Sequence, residues 1–206
     1  MPILKVGITG GIGSGKTTVC RIFDTLGIPI YYADDAAKWL MQHDPDIRAA
    51  IIEQFGAAMY LPDGTLQRAA LAAAVFGQPD RLQYLESIVH PAVLRHTQAW
   101  IDAQPENTPY LLKEAAIMIE SGAYRHLDRL IVVTAPIETR IARVLQRDGG
   151  EEAAVRARIA RQMPDEEKRQ FADFIVNNDG EQLLIPQVMD IHRRLLAIAA
   201  ARREEA

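Results

Sequence analysis

The segment Gly10-Gly11-Ile12-Gly13-Ser14-Gly15-Lys16-Thr17 sets a glycine, four residues and then Gly-Lys-Thr in a row, which is the pattern of a phosphate-binding loop. Few short motifs restrict a fold as much, because such a loop works only between the end of a strand and the start of a helix. Its flanks comply: residues 3–9 are a short apolar run, and residues 16–26 carry a helical pattern closed by Gly27. The glycines let backbone N–H groups turn inward around phosphate oxygens, and the positive end of the following helix adds to the field. Lys16 is suited to reach the outer phosphates, and the Thr17 hydroxyl to ligate Mg²⁺. Gly11, Gly13, Ser14, Gly15, Lys16, Thr17 and Thr18 are therefore the candidate nucleotide-binding residues. A dinucleotide-binding turn is disfavoured, since Gly11-x-Gly13 lacks the last glycine of that fingerprint and a Lys-Thr pair follows instead.

Further apolar runs at 28–32, 110–112, 130–134 and 174–176 are separated by helical stretches. Strands alternating with helices need crossover connections, which predicts an α/β fold with a mostly parallel sheet and helices on both faces. The interval 35–108 breaks this rhythm with helical patterns and no convincing strand, so a core of 1–34 and 109–206 is expected to carry a helical insertion. Within it, Thr65 is expected to cap a helix that stops at Gly77, and Pro79 to start the next. Phe55, Tyr60, Phe76, Tyr84 and Trp100 are read as the core of the insertion. An arginine-rich stretch, about 140–170, suits a lid. The last helix, 182–201, shows an apolar stripe at Leu183, Pro186, Val188, Ile191, Leu195 and Ile198, then a tail, Arg202-Arg203-Glu204-Glu205, expected to fray.

Composition narrows the partners. With 23 basic against 27 acidic residues the formal charge is −4, which argues against holding nucleic acid by broad phosphate neutralisation and favours a small anionic ligand at a locally basic site. The single cysteine, Cys20, forms no internal disulfide and reads as a small buried helix residue. Met1-Pro2 leads directly into the first strand without the features of a signal peptide, and no run is long enough to span a bilayer, so a cytoplasmic protein with no membrane and no obligate protein partner is expected.

A phosphate loop alone leaves kinases, GTPase switches and ATP-driven machines open. No Asn-Lys-x-Asp run is present, and the early Asp-x-x-Gly, Asp24 to Gly27, ends the first helix, so a GTPase switch is disfavoured. Asp34 follows the second strand at the crevice where open α/β sheets bind ligands. With one strand between the first two, their ends are about 10 Å apart, room for a phosphoryl group and an acceptor hydroxyl whose proton Asp34 accepts; the alternative is a helix cap, with Asp35 a surface carboxylate. Arg140, Arg143 and Arg147 fall on one side of a helix and can point at phosphates, where one well-placed arginine is worth about 10³–10⁵ in rate; for Arg140 a solvated charged face is the stronger reading. Arg156, Arg158 and Arg161 continue the bias, with one of the three expected to be functional. Glu114 and Glu120 are candidates to hold Mg²⁺ through water or to orient an acceptor, and His90 reads first as structural.

Taken together these features resemble the dephospho-CoA kinase family. The resemblance is carried by Thr9-Gly10-Gly11-Ile12-Gly13-Ser14-Gly15-Lys16, Leu26-Gly27-Ile28 leading to Ala33-Asp34, and Asp63-Gly64-Thr65-Leu66. His90-Pro91, Glu120-Ser121-Gly122, Gln146-Arg147-Asp148, Gln162 and Ala172-Asp173 to Asn177 add to it. It implies transfer of the ATP γ-phosphate to the ribose 3′-hydroxyl of dephospho-CoA, with Mg²⁺ as the metal. It further implies that Asp34, Lys16, Arg143 and Arg147 are catalytic and that Asn177 borders the adenine. Asp34, His90 and Glu120 would then meet the acceptor. The family often has Asp-Ala-Asp where this chain reads Tyr32-Ala33-Asp34, and Pro-Leu-Leu where it reads Ala116-Ile117-Met118. Another small-molecule kinase and a nucleotide-dependent binding switch remain the alternatives.

Overall fold

The structure, a computed structural model, describes residues 3–204; the signal-peptide reading at Met1-Pro2 and the tail residue Glu205 lie outside them. The chain runs β1 (Leu4–Thr9), α1 (Lys16–Thr25), β2 (Ile30–Tyr32), α2 (Ala33–His43), α3 (Pro45–Phe55), α4 (Arg68–Val75) and α5 (Pro79–Asp102). It continues through β3 (Tyr110–Glu114), β4 (Arg129–Thr134), α6 (Ile137–Asp148), α7 (Glu152–Ala160), α8 (Asp165–Lys168), β5 (Phe174–Asn177) and α9 (Leu184–Glu204). It divides into two compact units, one of 1–32 with 104–206 and one of 33–103.

The first unit holds a five-stranded sheet in the order β2-β3-β1-β4-β5 with every pair parallel. Parallel strands must be covered on both faces, and their residues alternate accordingly. Leu4, Val6 and Ile8 of β1 face one way with Tyr110, Leu112, Ile131, Val133, Phe174 and Val176. There they meet Val19, Cys20 and Phe23 of α1 and Val188, Ile191 and Leu195 of α9. Each such side chain contributes about 1.5–3 kcal/mol when fully buried. On the other face Gly7 leaves just enough room for Met118, Leu127 and Leu130, which a methyl group at this position would strike.

Because all strands run the same way, their C-terminal ends share one edge. β3 lies between β1 and β2, so Ile8 and Tyr32 both stand in register with Glu114. This is the one-strand separation on which the expected gap rested. On the other side of β1, Thr134 stands in register with Asn177. The phosphate loop, Glu114 and Asn177 thus gather at one edge of the sheet.

The second unit packs Leu40, Ile47, Ile51, Tyr60, Leu66, Leu71, Val89 and Ala92 together, with Phe55 against them. Two details of its sequence reading are corrected. Thr65 caps no helix: its N–H donates to Asp63 Oδ1 (2.8 Å) and its carbonyl accepts from Leu61 N (2.8 Å), so a tight turn absorbs it. That turn delivers Leu66 to a β-bridge with Tyr60, and the helix starts only at Arg68. Phe76 is 66% exposed and lies outside this core.

In the first unit, Leu183 precedes α9 and is 76% exposed, and Pro186 is exposed as well, so the apolar stripe runs instead from Leu184 through Val188, Ile191 and Leu195 to Ile198. The basic tail is anchored, contrary to expectation. Arg202 pairs with Asp128 at 2.7 Å and Arg203 donates to the Thr108 carbonyl at 2.9 Å, which ties the last turn of α9 to two loops at the opposite end of the sheet.

Candidate active site

The loop between β1 and α1 is built for an anion. Gly15 takes the N-cap position of α1 in a left-handed conformation, no side chain caps the helix, and its first turn holds no acid. Helix N-terminal amides left without a side-chain cap are an anion site in waiting. Gly13 has a φ of 78° and packs against the backbone of Arg140. A side chain there would meet both a strained backbone and a neighbour that cannot move.

Lys16 Nζ donates to the Gly10 carbonyl at 2.9 Å and lies 3.8 Å from Glu114 Oε1, both side chains being about nine-tenths buried. The ammonium group is therefore folded back on its own loop, opposite a carboxylate carried by the neighbouring strand. Thr17 and Thr18 are exposed on the first turn of α1.

The arginine row on α6 meets the loop along its length, each member differently. Arg140, expected on a solvated face, is buried at 5% exposure: its Nε donates to the Ile12 carbonyl (2.9 Å) and its Nη1 pairs with Asp165 (3.2 Å). Tertiary packing on the glycine loop, which has no side chain at Gly11, draws it inward; its guanidinium fills the space a side chain at position 11 would need. Arg143 donates from Nη2 to Asn178 Oδ1 (3.2 Å), while its Nη1 is buried with no hydrogen-bond partner among the described residues, as is the Ser14 hydroxyl. Such groups cost about 1–3 kcal/mol each when left so, and at a functional site they mark where a ligand oxygen belongs. Arg147 is clamped by Asp148 (2.6 and 2.9 Å), which raises the guanidinium's already high pKa.

Lys16, Arg147, Arg158 and Arg161 together line a pocket of about 320 Å³ over Gly13, with Gln162 on its rim. Two members of the later trio, Arg158 and Arg161, thus reach the site, whereas Arg156 is held outside by Glu138 and Glu152. On a chain of net charge −4 this is a concentrated positive site.

Other candidates are more committed than the sequence suggested. The Glu120 carboxylate accepts from Lys168 Nζ (2.5 Å) and Met163 N (3.1 Å), bonds that hold its pKa below the usual range despite burial. It acts here as an anchor for the chain after α7. Asn177 Oδ1 accepts from Thr134 Oγ1 (3.1 Å) and Arg169 Nη2 (3.0 Å). In the other unit, Asp34 sits in the first turn of α2, where a carboxylate interacts favourably with the helix dipole; Asp35 pairs with Lys38 at 2.6 Å. His90 is exposed on α5. Asn178 escaped the sequence reading: its Nδ2 donates to the Ser14 carbonyl (2.8 Å), bracing the loop from the end of β5. No local pattern announces a contact between residues 164 positions apart.

Comparison with known proteins agrees with this geometry. A family model described as dephospho-CoA kinase matches residues 4–183. The dephospho-CoA kinase of Salinibacter ruber is 47% identical over 176 residues, covering 85% of this chain and 88% of that protein. That of Bacteroides fragilis is 36% identical over 188 residues, 91% of each. Among solved structures, TT1252 from Thermus thermophilus aligns with a TM-score of 0.83 at 31% identity, covering 94% of this chain and 98% of that one. A shikimate kinase from Acinetobacter baumannii, at a TM-score of 0.52 and 15% identity over 95% and 94% of the two chains, shares the fold alone. A glycine loop bedded on buried arginine, a cationic pocket above it and relatedness across nearly the whole length lead to one statement: the chain belongs to the dephospho-CoA kinase family.

Proposed function

We propose that this protein transfers the γ-phosphate of ATP to the ribose 3′-hydroxyl of dephospho-CoA, giving coenzyme A and ADP. The observation that carries the reading is the pocket in which Lys16, Arg147, Arg158 and Arg161 converge over the glycine loop, within a chain whose relatives bear that name. Gly11, Gly13, Ser14, Gly15, Lys16, Thr17 and Thr18 cradle the triphosphate. Lys16 exchanges its bond to the Gly10 carbonyl for phosphate oxygens, and the orphaned Nη1 of Arg143 gains an acceptor in the same step. Arg147 spreads the charge that develops on the transferring group. Asn177, at the end of β5, borders the adenine.

Asp34 takes the proton from the acceptor hydroxyl. It stands two residues along the chain from Tyr32, which is in register with Glu114. The 33–103 unit, with His90, receives the pantetheine-bearing acceptor, and Glu120 serves it indirectly by fixing the chain beside the phosphate pocket. Among the described residues no group of three His, Cys, Asp or Glu side chains could hold a metal ion. Mg²⁺ would therefore draw on phosphate oxygens, water and the Thr17 hydroxyl, a hard oxygen set that suits it. Bound there it would neutralise phosphate charge. No helix among the described residues is long and apolar enough to cross a membrane. A cytoplasmic setting and small-molecule substrates belong to the same proposed reading.

The test is an acceptor panel. ADP release from ATP should require dephospho-CoA; stimulation instead by a nucleoside monophosphate or a hydroxylated metabolite would replace the acceptor and leave the kinase reading in place.

A further inference from the structure

Ile12, in the phosphate loop, is held through its side chain, its carbonyl and its N–H. Its side chain packs against the cluster of Ile141, Val144, Val155 and Ile159 that joins α6 to α7. Its carbonyl accepts from Arg140 Nε (2.9 Å) and its N–H donates to Gln162 Oε1 (2.8 Å). Gln162 itself is fixed from behind: its N–H donates to the Ile159 carbonyl (3.0 Å), and the next residue, Met163, is held by Glu120 (3.1 Å).

The chemistry of this contact orients the glutamine. A peptide N–H can only donate, so the atom facing it must be the amide oxygen; the reverse rotamer would set two donors against each other. The planar amide then turns its –NH₂ group away from Ile12. Gln162 lines the pocket shared by Lys16, Arg147 and Arg158, and among the described residues its Nε2 makes no hydrogen bond.

From this we infer that Gln162 is a phosphate-contacting residue, donating Nε2–H to an oxygen of the terminal phosphate of ATP, with Ile12 as the group that aims it. It adds a neutral, directional donor to a pocket whose other polar walls include the charged Lys16, Arg147, Arg158 and Arg161. Positioning of this kind is what phosphoryl transfer chiefly asks of a protein. The inference rests on the pocket being the seat of the ATP phosphates and does not depend on the identity of the acceptor.

The test compares Gln162→Ala with Gln162→Glu by titrating ATP and ADP into each full-length protein. Glutamate keeps an oxygen for the Ile12 N–H but has no hydrogen to donate and brings a negative charge toward phosphate. A residue that only ties down the loop is therefore rescued by glutamate, and a phosphate donor is worsened by it. We expect the ratio of ATP to ADP affinity to fall about tenfold in Gln162→Ala and about a hundredfold in Gln162→Glu, where like charges meet, with kcat/KM for ATP following the same order. The ratio is unaffected by any unfolded fraction, since that scales both affinities alike. A Gln162→Glu protein with a wild-type ratio, or equal losses for ATP and ADP in both variants, overturns the proposal. Wild-type protein that binds neither nucleotide overturns the ATP reading itself.

Discussion

Replacing Arg140 by methionine keeps most of the aliphatic stem and removes the guanidinium. In the structure that group pairs with Asp165 at 3.2 Å, with side-chain exposures of 6% and 11%, and donates to the Ile12 carbonyl at 2.9 Å. The variant leaves a nearly buried carboxylate without its partner, a loss of about 3–5 kcal/mol. For a chain of this size each kcal/mol shifts Tm by about 2–4 °C, so a drop of about 6–20 °C is expected. The structure also supplies the control. Replacing both members, Arg140→Met with Asp165→Leu, removes the stranded charge and leaves the Ile12 carbonyl short of one donor, about 1–3 kcal/mol. The double variant should thus be more stable than either single one, a large coupling in a double-mutant cycle. Both tryptophans, Trp39 and Trp100, lie in the 33–103 unit, so unfolding in urea should be followed by far-UV circular dichroism, with fluorescence reporting the other unit. An Arg140→Met protein within about 1 kcal/mol of wild type, below the usual cost of breaking a buried pair, or a double variant whose loss equals the sum of the singles, would refute the reasoning.

Three further outcomes are expected. Asp34→Ala should lower turnover by about 10²–10⁴, the range for a lost general base, while ATP titration stays close to wild type; unchanged turnover would remove Asp34 from the chemistry. Burial pushes the Cys20 thiol up to about 12, so a thiol reagent at pH 8 should leave the native protein unlabelled and react once it is denatured. Stability should also respond to His192, whose Nδ1 lies 2.6 Å from the buried Tyr110 hydroxyl and whose pKa burial lowers. Because the folded value lies below the unfolded one, the unfolded chain binds the proton first. This contribution is complete above the ordinary histidine range of about 6.5 and is lost as the pH falls from there through the folded value. Thermal melts between pH 7.5 and 5 should therefore fall less steeply for His192→Gln than for wild type.

Local sequence was enough to specify the sheet-and-loop core. A Gly-Lys-Thr loop between an apolar run and a helix, and short apolar runs spaced by helices, leave little besides a parallel sheet with its ligand edge at the strand ends, because parallel crossovers and phosphate geometry admit few alternatives. The place of Lys16 at the phosphate loop was legible for the same reason, and the family was legible because its motifs recur in order along the chain.

Other features were set by contacts that no spacing encodes. Arg140, Arg143 and Arg147 share a helix face and look alike in sequence, yet one is buried under the loop, one meets Asn178 and one lines the pocket. Thr65 looked like a cap until a turn at Asp63-Gly64 claimed it, and the basic tail looked loose until Asp128 and Thr108 met it. Gln162 and Asn178 reach the loop across 150 and 164 residues. Local pattern fixes what a backbone segment prefers to be; which of several equivalent side chains it buries, and which it leaves to face a phosphate, is decided only when distant strands and helices compete for the same space.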